Sequence, residues 1–152
     1  MQFIVYDMAY TGVQIAADPL PVIPFSAAYY PEYQRIYNAC FYEMRRALGI
    51  RPYHCCADLQ QLLKKQAQIF LLTDGGVLLG SVCVCGTDID GLIVNPAYQG
   101  RGFGRQLLIW AVNRIRESTD EPVRLTVAEW NQRAVRLYTQ TGFAVIRKQK
   151  IG

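Results

Sequence analysis

Val94-Asn95-Pro96-Ala97-Tyr98-Gln99-Gly100-Arg101-Gly102-Phe103-Gly104-Arg105 is the stretch on which the fold turns. An apolar strand, DIDGLIV at 88–94, ends at Pro96 and runs into a glycine-rich turn. The turn opens at once into a helix carried by Leu107, Leu108, Ala111 and Ile115 through about Arg116. Glycines lack Cβ, so the backbone can turn tightly and let a bulky anion approach its N–H groups. The unpaired amides of a helix's first turn, at the positive end of its dipole, suit a phosphate or pyrophosphate. Arg101 and Arg105 add charge. The glycines alone leave a second reading open, a loop that only packs a helix onto a sheet, because short glycine motifs recur without function. Two other phosphate loops are excluded. Gly100, Gly102 and Gly104 are spaced GxGxG rather than GxGxxG, and no Gly-Lys-Ser/Thr is present.

Before this stretch, IFLLT (69–73), a DGG turn and VLLGSVCVC (77–85) read as a hairpin, which Gly86-Thr87 joins to the 88–94 strand as a meander. Further upstream, apolar side chains recur at helical spacing from Glu32 to Leu48 and stop at Gly49. Asp58 with Gln61 resembles a capping box opening a second helix. QFIVY (2–6) reads as a first strand. Pro19, Pro21, Pro24 and Pro31 argue against a long regular element over 11–31. After the glycine loop and its helix come a β-branched strand, VRLTVA (123–128), a short helix over Gln132 to Thr141 ending at Gly142, and a closing strand, FAVIRKQKI. The predicted order is β-α-α-β-β-β-α-β-α-β, an α/β (α+β) chain.

The 152 residues, 51% hydrophobic and 18% charged, fit one domain over 1–152 and exclude a disordered tail or a coiled coil. No apolar run approaches the roughly 18 residues that span a bilayer, and MQFIVYDMAYTG lacks a secretory pattern. Five cysteines cannot all pair internally, and with His54 as the one histidine no metal site is expected. Cys83 and Cys85 share a strand face and are expected to be buried thiols, which points to a cytoplasmic location. Residues 1–98 hold 6 Lys/Arg and 8 Asp/Glu, whereas residues 99–152 hold 10 and 4. That basic third suggests an anionic ligand. No basic patch with interleaved aromatics supports nucleic-acid binding.

The chain resembles the GCN5-related N-acetyltransferases. Their Gln/Arg-x-x-Gly-x-Gly/Ala signature is matched by Gln99, Gly102 and Gly104, after a Val-x-Pro strand end at Val94 and Pro96. A second family feature, Val-x-x-x-Asn, then Ala-x-x-Leu-Tyr and Gly-Phe, is matched by Val127, Asn131, Ala134, Leu137, Tyr138, Gly142 and Phe143. The resemblance is firm over 88–146. It implies a mixed, mostly antiparallel sheet flanked by about four helices. It also implies an acetyl-CoA-dependent N-acetyltransferase in which a primary amine, on a small molecule or a peptide, attacks directly in a ternary complex. The alternative is a non-catalytic coenzyme A-binding sensor with the same fold. Acetyl-CoA is the implied cosubstrate, with no metal, no nucleic acid and no membrane partner.

Carried over residue by residue, the backbones of Gln99, Gly100, Arg101, Gly102, Phe103, Gly104 and Arg105 would bind the pyrophosphate of coenzyme A. Ile93 and Val94 would pair with the pantetheine in a wedge where their strand splays from its neighbour. Asn131 would contact the pantetheine arm or cap the last helix. Tyr138 would protonate the leaving thiolate, a task a phenol of pKa ~10 can perform. Asp88 is the implied general base, with Asp90, Glu129 and His54 behind it. Members acting on ribosomal proteins often carry a glutamate where Thr126 stands. Family members usually continue into a seventh strand, whereas this sequence stops at Gly152. The acceptor groove is therefore expected to be more open, or completed by segment 11–31 or by a second copy in a homodimer. Tyr29, Tyr30, Tyr33, Tyr37, Tyr42 and Tyr53 read as core aromatics or as a cage for a cationic amine.

Overall fold

The computed structural model describes residues 2–152. Strand β1 (Phe3–Tyr10) leads to a short strand β2 (Val22–Pro24), then helices α1 (Tyr30–Leu48) and α2 (Leu59–Lys64). The meander follows as β3 (Ile69–Asp74), β4 (Val77–Cys85) and β5 (Asp88–Val94). Helix α3 (Phe103–Arg116), strand β6 (Val123–Ala128), helix α4 (Gln132–Thr141) and strand β7 (Ala144–Ile151) complete the chain. The helix ends have local causes. Gly49, at φ 69°, adopts the left-handed conformation that stops α1. At α2 the Asp58 side chain accepts from the Gln61 N–H at 2.9 Å while Gln61 Oε1 accepts from the Asp58 N–H at 3.1 Å.

The strands form one mixed sheet in the order β2-β3-β4-β5-β6-β1-β7, antiparallel at every pairing except β5 with β6. Two strands depart from the expectation. Inside the proline-rich segment, β2 pairs with Phe70, Leu71 and Leu72, a place a proline can occupy because β2 is an edge strand. Strand β1 runs to Tyr10 and inserts between β6 and β7, with Tyr6 opposite Val127 on one side and Lys148 on the other. Seven strands are thus reached from the N-terminal side.

Two cores sandwich the sheet. On one face α1 and α2 bury Tyr33, Ile36 and Leu62 against Leu71, Leu78, Cys83 and Ile93. On the other, α3 buries Leu107, Leu108 and Val112 against Val82, Ile89, Leu125 and Val127. Each such leucine contributes about 1.5–3 kcal/mol. Cys83 is buried as expected, but Cys85 is exposed. The helices that cover this face reach Cys83 and not the last residue of β4. The segment between β1 and β2 lies across α3. The Asn113 amide bonds both the N–H and the C=O of Ile15, each at 2.8 Å, and Arg116 donates to the carbonyls of Gly12 (2.7 Å) and Tyr10 (3.2 Å).

Candidate active site

Parallel neighbours ordinarily share a ladder of evenly spaced bonds. Strands β5 and β6 share one bridge, Asp88 with Arg124, beside a 2.9 Å bond from the Arg124 N–H to the Thr87 carbonyl. The cause of their divergence lies in β5. Its register against β4 slips between Ser81↔Ile93 and Cys83↔Asp90, and Gly91, at φ +56°, is the extra residue of a bulge. A bulge bends and over-twists its strand, so β5 turns away from β6 and a wedge opens beyond Asp88.

Past the bulge, the Asn95 N–H donates to the Leu79 carbonyl at 2.8 Å. By the alternation of an antiparallel ladder, Ile93 also turns its N–H and C=O toward β4, and Leu92 and Val94 turn theirs into the wedge. Backbone pairing with a ligand therefore falls to Leu92 and Val94 rather than to Ile93. The Val94 carbonyl accepts from Gln99 Nε2 and from the Cys40 thiol, both at 3.2 Å. Asn95, 3% exposed, anchors the strand end: its Nδ2 donates to the Leu78 carbonyl (2.9 Å) and its Oδ1 accepts from the Ala97 N–H (3.0 Å).

The loop then turns through Gly100 (φ 81°) and Gly102 (φ 86°), conformations open to glycine alone at no steric cost. Gly102 caps α3 without a side chain, and the first helical bond is that of the Gln106 N–H to the Gly102 carbonyl at 3.1 Å. Helix α3 opens at Phe103, so the first-turn N–H groups of Phe103, Gly104 and Arg105 have no acceptor within the helix. These donors border a cavity of about 450 Å³ that also takes in Ile93, Val94, Gln99, Gly100, Phe103, Gly104, Arg105, Asn131 and Tyr138. Arg101 stays outside it, exposed, with its guanidinium 5.2 Å from the centre of the Tyr98 ring. An anion there would meet free N–H donors and a helix dipole.

Asn131 caps α4, its Oδ1 accepting from the Ala134 N–H at 3.2 Å, so its Nδ2 remains to serve the cavity it lines. About two turns further, Leu137 and Tyr138 face the same space. Burial first, and the charge of Asp90 second, push the Tyr138 phenol up to about 12. Its hydroxyl makes no hydrogen bond among the described residues. A phenol so placed holds its proton at neutral pH.

The other carboxylates and the histidine lie elsewhere. Asp88 sits at the closed end of the wedge, about six residues or ~20 Å of strand from Val94. It lines a separate concavity with Asp7, Asp90, Arg124 and Thr126. Glu129 accepts from the Tyr6 hydroxyl at 2.5 Å, which raises the Tyr6 phenol. His54 stacks on Tyr42, ring centres 5.4 Å apart. The tyrosines do not form a single cage: Tyr33 is core, Tyr42 packs edge-on to Tyr53, and Tyr37 lies between Tyr33 (5.8 Å) and Phe41 (4.8 Å). Sequence reasoning passed over Leu92, Cys40 and Glu43 as wall residues of the cavity. Cys40 was legible, since it continues the helical spacing of Tyr33 and Tyr37. No group of three or more His, Cys, Asp or Glu placed to hold a metal ion occurs among the described residues. None of their helices is long and apolar enough to cross a membrane.

A parallel pair joined by one bridge and parted by a bulge, with first-turn helix amides beside it, is the geometry on which the comparisons with known proteins bear. The acetyltransferase (GNAT) family model matches residues 29–143, and the chain belongs to that family. Solved structures agree on the fold. A GNAT-family protein of Novosphingobium aromaticivorans superposes with TM-score 0.73 at 17% identity, over 99% of this chain and 63% of its own. A ribosomal-protein-alanine N-acetyltransferase of Brucella melitensis gives 0.65 at 18%, over 81% and 83%. A Salmonella typhimurium protein with its cofactor acetyl-CoA gives 0.64 at 19%, over 86% and 82%. This chain spans 63% of the length of the first and about half of three further neighbours (50, 55 and 49%). No curated protein matches it in sequence.

Proposed function

We propose that residues 1–152 form a single acyl-CoA N-acyltransferase domain that moves an acetyl group from acetyl-CoA to a primary amine by direct attack. The observation that carries this reading is the set of first-turn N–H groups of α3, Phe103 to Arg105, beside the one-bridge wedge. Those amides, with Arg105 at the helix entrance, bind the diphosphate. The Val94 N–H and the backbone groups of Leu92 face the wedge, and the Leu92 N–H would polarise the thioester carbonyl. The Asn131 amide steadies the arm between. Tyr138 supplies the proton for the departing thiolate. The Salmonella neighbour's acetyl-CoA supports the choice of cosubstrate.

The test is an acceptor screen that follows thiol release from acetyl-CoA, alongside calorimetry of coenzyme A binding. Coenzyme A uptake with turnover on at least one amine is expected. Uptake without turnover on any amine would favour a sensor, and no uptake would end the reading.

A further inference from the structure

The turn that delivers Asn131 to the cavity begins at the end of β6, and its hold on the sheet comes from β1. The antiparallel pairing of these strands sets Tyr6 opposite Val127 and Val5 opposite Ala128. Continued by one residue, it brings Ile4 opposite Glu129, whose N–H donates to the Ile4 carbonyl at 2.8 Å. Residues two apart on a strand share a face, so Glu129 follows Val127 toward the α3 side, where Tyr6 also packs. Tyr6 and Glu129 are then diagonal neighbours, a separation that a long aromatic side chain can span. The Tyr6 hydroxyl spans it, donating to Glu129 Oε2 at 2.5 Å. Lys148, the β7 partner of Tyr6, sets its ammonium 5.4 Å from the ring centre, so the ring carries a cation over its face and a carboxylate at its tip.

The consequence lies in the next two residues. Trp130, 48% exposed, and Asn131 both line the cavity beside the glycine loop. Their own hydrogen bonds are local to the turn and the helix it opens. The Asn131 N–H donates to the Ala128 carbonyl and the Gln132 N–H to the Trp130 carbonyl, each at 3.0 Å, and Asn131 Oδ1 caps α4. Among the described residues, Glu129 is therefore the last point before α4 at which this turn is hydrogen-bonded to a neighbouring strand. Gln132 closes on the same residue, its Nε2 donating to the Glu129 carbonyl at 2.5 Å. With its N–H, carbonyl and carboxylate all engaged, Glu129 sets the direction in which the chain leaves the sheet.

We propose that Tyr6 is a positioning residue for cofactor binding, which through its bond to Glu129 fixes the turn that aims Asn131 and Trp130 into the cavity. The task of the Glu129 carboxylate is then to accept from Tyr6, not to take a proton from the acceptor amine. The purpose of this device rests on the coenzyme A reading, and a measurement without cofactor tests the device by itself. Tyr6→Phe keeps the ring against the core and removes only the hydroxyl. In NMR of the full chain without cofactor, it is expected to shift the Trp130 indole and Asn131 side-chain amide signals and to leave the Trp110 indole in place. By calorimetry, coenzyme A affinity should fall by about fivefold or more in Tyr6→Phe and in Glu129→Ala, and no further in the double variant, since both remove one bond. Glu129→Gln keeps an oxygen that accepts from the phenol and should recover most of that affinity. In turnover, Tyr6→Phe should raise the KM for acetyl-CoA more than it lowers kcat. Unmoved Trp130 and Asn131 signals, or wild-type coenzyme A affinity in Tyr6→Phe, overturn the assignment. So does a Glu129→Gln variant that binds coenzyme A normally and loses turnover, the mark of a general base. A wild-type chain that takes up no coenzyme A ends the acetyltransferase reading, whereas the signal shifts in Tyr6→Phe still establish the tie between β1 and the turn.

Discussion

Tyr138 shows how burial can equip a residue for one direction of proton transfer. With its phenol pushed up to about 12, it stays protonated through neutral and mildly alkaline pH, which the proposed role as acid for a departing thiolate requires. Tyr138→Phe is expected to lower kcat by about 10²-fold or more while leaving coenzyme A affinity intact. Thiol release and calorimetry together check this. The same shift has a stability consequence. The folded pKa lies above the unfolded value near 10, so the unfolded chain ionises first as pH rises. The contribution is therefore fully present below about pH 10 and lost as pH climbs toward 12. Melting temperatures over that range should fall less steeply in Tyr138→Phe than in the wild type. The loop glycines separate in the same way. Gly102, at φ 86°, would strain an alanine by about 1–2 kcal/mol and re-aim the amides behind it. At Gly104 a Cβ would meet Val94 Cγ2 at 3.5 Å and Leu137 Cδ2 at 3.7 Å, ordinary contacts. Gly102→Ala should cost at least tenfold in coenzyme A affinity, and Gly104→Ala little, as measured by calorimetry.

Among the elements, the wedge depends on β5 being held against β4 at one end and released from β6 at the other. Gly80 of β4 permits the first. A Cβ there would lie 2.7 Å from the Ile93 carbonyl oxygen and 2.8 Å from Leu107 Cδ1. The obstacle on one side is backbone, so Gly80→Ala must drive β5 off β4 and into the wedge. The expected cost is about 1–3 kcal/mol in denaturant unfolding, with weakened coenzyme A binding in the same sample. This is also where the sequence was legible and where it was not. The bounds of β6 and α4 follow from local patterns, β-branched residues at 123–128 and a helix between Asn131 and Gly142, and the structure keeps them unchanged. The bulge at Gly91 is a relation between two strands, invisible in either alone. Without it, Asp88 and Asp90 look equivalent, and nothing tells which polar groups of Leu92, Ile93 and Val94 face the neighbour. The loop's geometry was legible because its glycines and helix onset are contiguous.

At the scale of the whole molecule, the N-terminal strand is what joins the two ends of the fold. Strand β1 pairs with β6 and β7, whose residues lie more than a hundred positions away, and no local period announces such a partner. The sequence marked its first half, QFIVY, and missed its continuation through Met8, which is 1% exposed in the α3-side core. The family pattern over 29–143 excludes this strand altogether. Yet β7 has no other strand beside it in the sheet, and β6 has only its single bridge to β5. A chain lacking residues 1–12 would therefore present unpaired edges on both β6 and β7 and open the core beside Leu125 and Val127. It is expected to lose its cooperative thermal transition by circular dichroism. Asn113→Ala, which frees only the crossing segment at Ile15, should lower stability by a few kcal/mol at most and keep the transition cooperative. Hydrogen exchange gives the same contrast without truncation: amides of β1, β6 and β7 should exchange as one unit, slower than those of residues 11–21. If β7 exchanges long before β1, the N-terminal strand is an accessory to the sheet and not its joint.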